Sequence, residues 1–137
     1  MKKLALTLLL SISTFSLFSE VHTVQMLNAG KEGMMVFEPA VITIKKGDTV
    51  KFIATDMLHN SSSVDGMIPD GAEAWVGGMS QDVEVTLSKE GVYVYQCTPH
   101  NMMAMVGVIK VESSSNIDAI KLKAESYKKT FLMNQER

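Results

Sequence analysis

Six short stretches in the middle of the chain alternate apolar and polar residues or run apolar with β-branched and aromatic side chains: residues 21–27, 40–44, 49–55, 82–87, 91–96 and 106–111. A period of two and an abundance of Val, Ile, Thr and Tyr predict strands. Lys46-Gly47-Asp48 separates two of these runs and Ser88-Lys89-Glu90-Gly91 another pair, so both read as tight turns. Many short strands with turn signals between them predict an all-β sandwich or barrel. Residues 56–80 are longer and irregular, with Pro69, Gly71, Gly77 and Gly78, and predict a flank of loops with at most a short turn of helix.

The period changes after Val111. Ser113, Ser114 and Ser115 make a polar joint, Ser115 is a plausible N-cap with Asp118 three residues on, and Ile120, Ala124, Tyr127 and Phe131 recur at helical spacing. A helix or helix pair from about residue 115 is expected, with its apolar stripe on the sandwich. At the other end, Lys2 and Lys3 precede the apolar residues 4–10 and a stretch of small and apolar residues closing at Ser19. That layout predicts a secretory signal peptide over residues 1–19, cleaved near Ser19/Glu20, and no stable membrane insertion. Residues 20–137 are then long enough for one domain and too short for two. The mature protein is therefore expected to be exported.

Charge narrows the picture a little. The full chain holds 13 basic and 15 acidic residues; without Lys2 and Lys3 the balance is 11 against 15, a formal charge near −4. No basic face with interleaved aromatics appears, so nucleic acid is not an expected partner. The chain has one cysteine, Cys97. An oxidising compartment favours disulfides, and here a disulfide has no second cysteine within the chain.

The neighbours of Cys97 give it a different meaning. Residues 95–107 read YQCTPHNMMAMVG, with His100 three positions on and Met102, Met103 and Met105 beyond it. The spacing C-x2-H-x4-M lets a thiolate, an imidazole and a thioether meet on one tight loop, and Pro99 stiffens that loop. One thiolate, two imidazoles and a weak axial thioether form the donor set of blue copper. A second imidazole must come from His22 or His59, the remaining histidines. His59 follows the predicted strand 49–55 at one end of the sandwich, whereas His22 stands near the frayed mature N-terminus. His59 is therefore the expected ligand.

These residues also carry a family resemblance. Met26-Leu27-Asn28, Met35-Val36-Phe37-Glu38-Pro39-Ala40, Gly47-Asp48-Thr49-Val50, His59-Asn60, Met67-Ile68-Pro69, Gly71-Ala72-Glu73 and Cys97-Thr98-Pro99-His100 resemble, in order, the segments of pseudoazurins, small periplasmic cupredoxins. The resemblance implies a Greek-key β-sandwich of two sheets with a C-terminal helical extension and one type 1 copper. It implies His59, Cys97, His100 and Met105 as ligands, with Met105 preferred to Met103, and Asn60 as the residue tying two ligand loops together near the thiolate.

Single-electron transfer is the implied function, not catalysis, between partners such as a c-type cytochrome and a copper nitrite reductase. Met35, Met102 and Met103 are expected to surround an exposed edge of His100 as the docking face of a monomer. Two departures stand out. Met57, Val76 and Gln96 occupy places where the family typically has lysines, and Leu58 precedes His59 where it usually has glycine. A periplasmic copper carrier is the second reading, and a thiol hydrolase using Cys97 and His100 the third; the latter lacks an orienting acid and a glycine-rich oxyanion loop.

Overall fold

A computed structural model describes residues 19–137. The expected signal peptide therefore lies, Ser19 apart, outside the described residues. Eight strands and one helix follow in order: β1 (Val21–Gly30), β2 (Gly33–Glu38), β3 (Val41–Ile44), β4 (Thr49–Ile53), β5 (Ser62–Ser63), β6 (Val83–Thr86), β7 (Gly91–Gln96), β8 (Val106–Val111) and α1 (Ile117–Tyr127). They form two mixed sheets, β2-β1-β4-β6 and β3-β8-β7-β5. Within them β1 runs parallel to β4 and β3 parallel to β8. This is the expected all-β cupredoxin sandwich with a C-terminal helix.

Alternation explains which side faces in. Val24 and Met26 of β1 and Val50 and Phe52 of β4 are fully buried between the sheets, while Thr23, Gln25 and Lys51 point away from that core. Strand β7 differs, since its first five residues are all buried. Tyr93 and Tyr95 enter the core between the sheets, where Tyr95 meets Phe37 and Phe52 edge to face. Val92 and Val94 join Val64, Met67 and Ile120 in a second cluster under the helix. Helix α1 thus covers the outer face of the second sheet, which accounts for the unbroken burial of residues 91–95. Gly107 is required opposite Tyr95, because a Cβ there would run into the phenol ring and approach the Ala40 carbonyl.

The two predicted turns both cross from one sheet to the other. Gly47, at φ +91°, turns β3 into β4, and Asp48 pins the turn by accepting bonds from the Glu20 and Lys45 amides and from His22 Nε2 at 2.9 Å. These bonds hold Asp48 down to a pKa of about 2, the Glu20 amide contributing most and burial opposing them. His22 and Glu20 gather around Asp48 at this pole.

Several local expectations need correction. β2 and β5 were not expected as strands. Residues 56–80 contain no helix among the described residues, only turns and β5. The helix N-cap is Asn116, not Ser115, and its side chain clasps the backbone of Val92 instead of capping the helix. Phe131 lies beyond α1 and a short 3₁₀ turn at Lys128–Thr130, buried against Tyr127.

Candidate metal centre

At the pole opposite Asp48 two loops converge. β4 leads into residues 54–61, which carry His59, and β7 leads directly into Cys97. A 3₁₀ segment, Thr98–Met103, then folds back so that β8 can begin at Val106. Its closure is visible in four backbone bonds: His100 N to Cys97 O, Ala104 N to Asn101 O, Met105 N to His100 O and Cys97 N to Met105 O, at 2.9 to 3.2 Å. Ala104 makes the reversal in the left-handed region at φ +57°.

The result brings together three donors expected from the sequence. Cys97 Sγ lies 3.6 Å from His59 Nδ1 and 3.4 Å from His100 Nδ1, and the two nitrogens are 3.1 Å apart. A point equidistant from the corners of that triangle lies about 2.0 Å from each, against metal–nitrogen and metal–sulfur lengths of about 2.0 to 2.3 Å. His59 and Cys97 are fully buried and His100 is half-buried at the rim. Met105 is also fully buried and packs in the same core cluster as Cys97, whereas Met102 is 51% exposed and Met103 half-buried. His22 is with Asp48 at the other pole, away from the cluster.

Neighbouring groups set the orientation of these donors. His59 Nε2 donates to Asn28 Oδ1 at 3.0 Å, which leaves the Nδ1 lone pair facing Cys97. Asn60 joins the two loops: its Oδ1 accepts from Thr98 N at 2.8 Å, and its Nδ2 donates to Thr98 Oγ1 and to the Gly77 carbonyl, each at 3.2 Å. Burial pushes the Cys97 thiol above its ordinary pKa, and the backbone amides of Asn60 and His100 oppose that rise. Burial lowers the His59 pKa, the neighbouring His100 lowers it further, and Asp56 works the other way. A neutral imidazole is the ligand form, while a thiol must lose its proton, so metal binding here releases a proton. Two imidazoles and one sulfur converging at the edge of a core that also holds the Met105 thioether suit copper by softness and geometry.

The comparisons agree with that chemistry. Residues 24–112 match the copper binding proteins of the plastocyanin/azurin family. A pseudoazurin from Methylorubrum extorquens is 42% identical over 119 residues, covering 85% of this chain and 80% of that protein. The solved pseudoazurin of Sinorhizobium meliloti superposes with a TM-score of 0.73 at 50% identity, over 74% of this chain and 81% of that one. That of Hyphomicrobium denitrificans gives 0.71 at 42%, over 74% and 82%.

The chain belongs to the pseudoazurins.

Copper is accordingly its metal. For a pseudoazurin the surroundings have individual features that the sequence concealed. Asn28, the partner of His59, was visible only within a family segment. The tail beyond α1 reaches the ligand loop: Leu132 N and Met133 N donate to the Met102 carbonyl, and Asn134 Nδ2 donates to that of Met103. Arg137 then grips the carbonyls of Glu32, Met34 and Met35. Met35 is half-buried against the core, so it offers less surface than expected. Leu58 adopts φ +69°, a conformation costing a non-glycine residue roughly 1 to 2 kcal/mol, yet it is 67% exposed. Trp75 is a packing anchor, stacked on Phe52 with its indole N–H on Ser61 Oγ.

Proposed function

We propose that His59, Cys97, His100 and Met105 hold a single type 1 copper and that this pseudoazurin shuttles single electrons between periplasmic redox proteins. Support comes from the buried triangle of three donors 3.1 to 3.6 Å apart in a chain of this family. When bound, copper supplies a one-electron couple between Cu(I) and Cu(II). The residues supply fixed positions for it. Asn28 locks the His59 tautomer, Asn60 joins the two loops, and the backbone bonds of residues 97–105 keep His100 from swinging away. Donors that stay in place in both oxidation states need little rearrangement when an electron arrives or leaves. The cluster offers no role in substrate chemistry, because its donors face one another.

Secretion through the leader at residues 1–19, with residues 20–137 as one domain, belongs to the same reading. A c-type cytochrome as donor and a copper nitrite reductase as acceptor are the partners we favour, met near His100, Met102 and Met103 by a monomer. The burial of His59 and Cys97 favours an electron shuttle over a copper carrier. Stopped-flow mixing of the reduced, copper-loaded protein with hexacyanoferrate(III), beside incubation with a Cu(I) chelator, separates the two. The shuttle reading predicts rapid exchange and slow metal loss. Metal release within seconds and sluggish exchange would favour the carrier.

A further inference from the structure

The loops beside the donor cluster carry an unusual surface. Residues 54–61 and 75–82 lie side by side, joined by Leu58 N to Ser80 Oγ, Ser80 N to His59 O and Gly77 N to Ser61 O. On these zipped loops Met57 and Leu58 are each 67% exposed, Val76 is 83% exposed and Met79 46%. Exposed apolar groups gathered on adjoining loops mark contact surfaces. Leu58 strengthens the reading because its backbone conformation favours glycine, and its side chain buries little within the fold. A residue that is both strained and exposed points to a use outside the chain.

The stretch that carries both loops is acidic, whereas the cations of this pole, Lys31 and Arg137, stand at the β1–β2 turn, Lys31 paired with Glu38 and Arg137 on the carbonyls of Glu32, Met34 and Met35. Between Lys51 and Lys89 the sequence holds six acidic residues, Asp56, Asp65, Asp70, Glu73, Asp82 and Glu84, and no Lys or Arg. Asp56 and Asp82 stand at this pole: Asp56 accepts from the Asn28 amide and acts on His59 through its charge, and Asp82 accepts from the Ala54 amide. Residues 97–105, the third loop of the pole, carry no Asp, Glu, Lys or Arg. An apolar centre with a carboxylate edge complements an apolar centre with a cationic rim.

We propose that Met57, Leu58, Val76 and Met79 form a docking plateau beside the metal centre, and that its partner is a redox protein whose electron-exposing edge is apolar and rimmed by Lys or Arg. This rests on the electron-transfer reading and adds the partner's chemistry and the side of approach. The plateau lies on the His59 side of the pole and widens the contact surface beyond His100, Met102 and Met103.

The test uses the copper-loaded protein with a c-type cytochrome whose haem edge is ringed by lysines, and with the same cytochrome after lysine acetylation, which removes those charges. The native cytochrome is expected to react about tenfold faster than the acetylated form at low ionic strength, with the advantage shrinking as salt is added. Leu58→Gly and Val76→Ser should each slow the native reaction severalfold, while exchange with hexacyanoferrate(III) is unchanged and thermal stability is kept in Val76→Ser and kept or raised in Leu58→Gly, where glycine relieves the left-handed backbone. Normal exchange with hexacyanoferrate(III) but equal or faster reaction of the acetylated cytochrome would overturn the cationic rim. Unchanged cytochrome rates in both variants would overturn the plateau. Failure of wild type to exchange electrons even with hexacyanoferrate(III) would instead overturn the electron-transfer reading beneath it.

Discussion

Asn60→Ala should cost the fold about 3 kcal/mol. The side chain is 5% exposed and makes three bonds, accepting from Thr98 N and donating to Thr98 Oγ1 and the Gly77 carbonyl. Each such bond contributes about 1 kcal/mol net, and the buried Gly77 carbonyl left without a donor adds a further penalty of about 1 kcal/mol. The weak Thr98 hydroxyl contact, partly open to solvent, contributes least. Asn60→Asp should be no better: it keeps an acceptor for Thr98 N but turns a carboxylate oxygen toward the Gly77 carbonyl. Urea unfolding followed by Trp75, the chain's one tryptophan, measures both variants in the metal-free protein. A loss below about 1 kcal/mol for Asn60→Ala, or a neutral Asn60→Asp, would refute the tie between the two ligand loops.

Asn28→Ala frees the His59 ring to change tautomer and should weaken copper binding about 10- to 100-fold in chelator competition. Gly107→Ala forces a methyl group against Tyr95 and the Ala40 carbonyl, for a loss of at least about 2 kcal/mol in urea or thermal unfolding. Acid stability has a definite sign. Asp48 titrates at about 2 in the folded chain against an ordinary 3.8, so its contribution is complete above about pH 4 and is lost as pH falls toward 2. That contribution is about 2 kcal/mol. Asp48→Asn should flatten this part of the stability-against-pH curve.

The sequence was most legible where side-chain type and chain-local spacing decide the structure. β7 and β8 match their expected bounds, because their apolar runs are flanked by turn residues or by the ligand loop. Cys97 and His100 share one loop, and His59 follows the one predicted strand end that can supply a second imidazole. Pairing was harder to read. β2 opens with Gly33, Met34 and Met35 and is a strand through its register with β1, Gln25 opposite Glu38. β5 is two serines paired with Tyr95 and Gln96. The Asn28–His59 bond spans 31 positions, and the tail's grip on the Met102 carbonyl joins segments that no periodicity relates. Asn116, not Ser115, precedes the helix, and its clasp on the Val92 backbone is a tertiary contact that no local capping pattern signals.

The central claim is that Cys97 binds copper as a thiolate beside His59 and His100. Visible absorption and electron spin resonance of the copper-loaded, oxidised protein, compared with Cys97→Ser, test it most directly. An intense thiolate-to-copper charge-transfer band with the narrow copper hyperfine splitting of a type 1 site is expected, and loss of both in the folded serine variant. A colour that survives in Cys97→Ser, or a wild-type spectrum of weak ligand-field bands with wide hyperfine splitting, would contradict it.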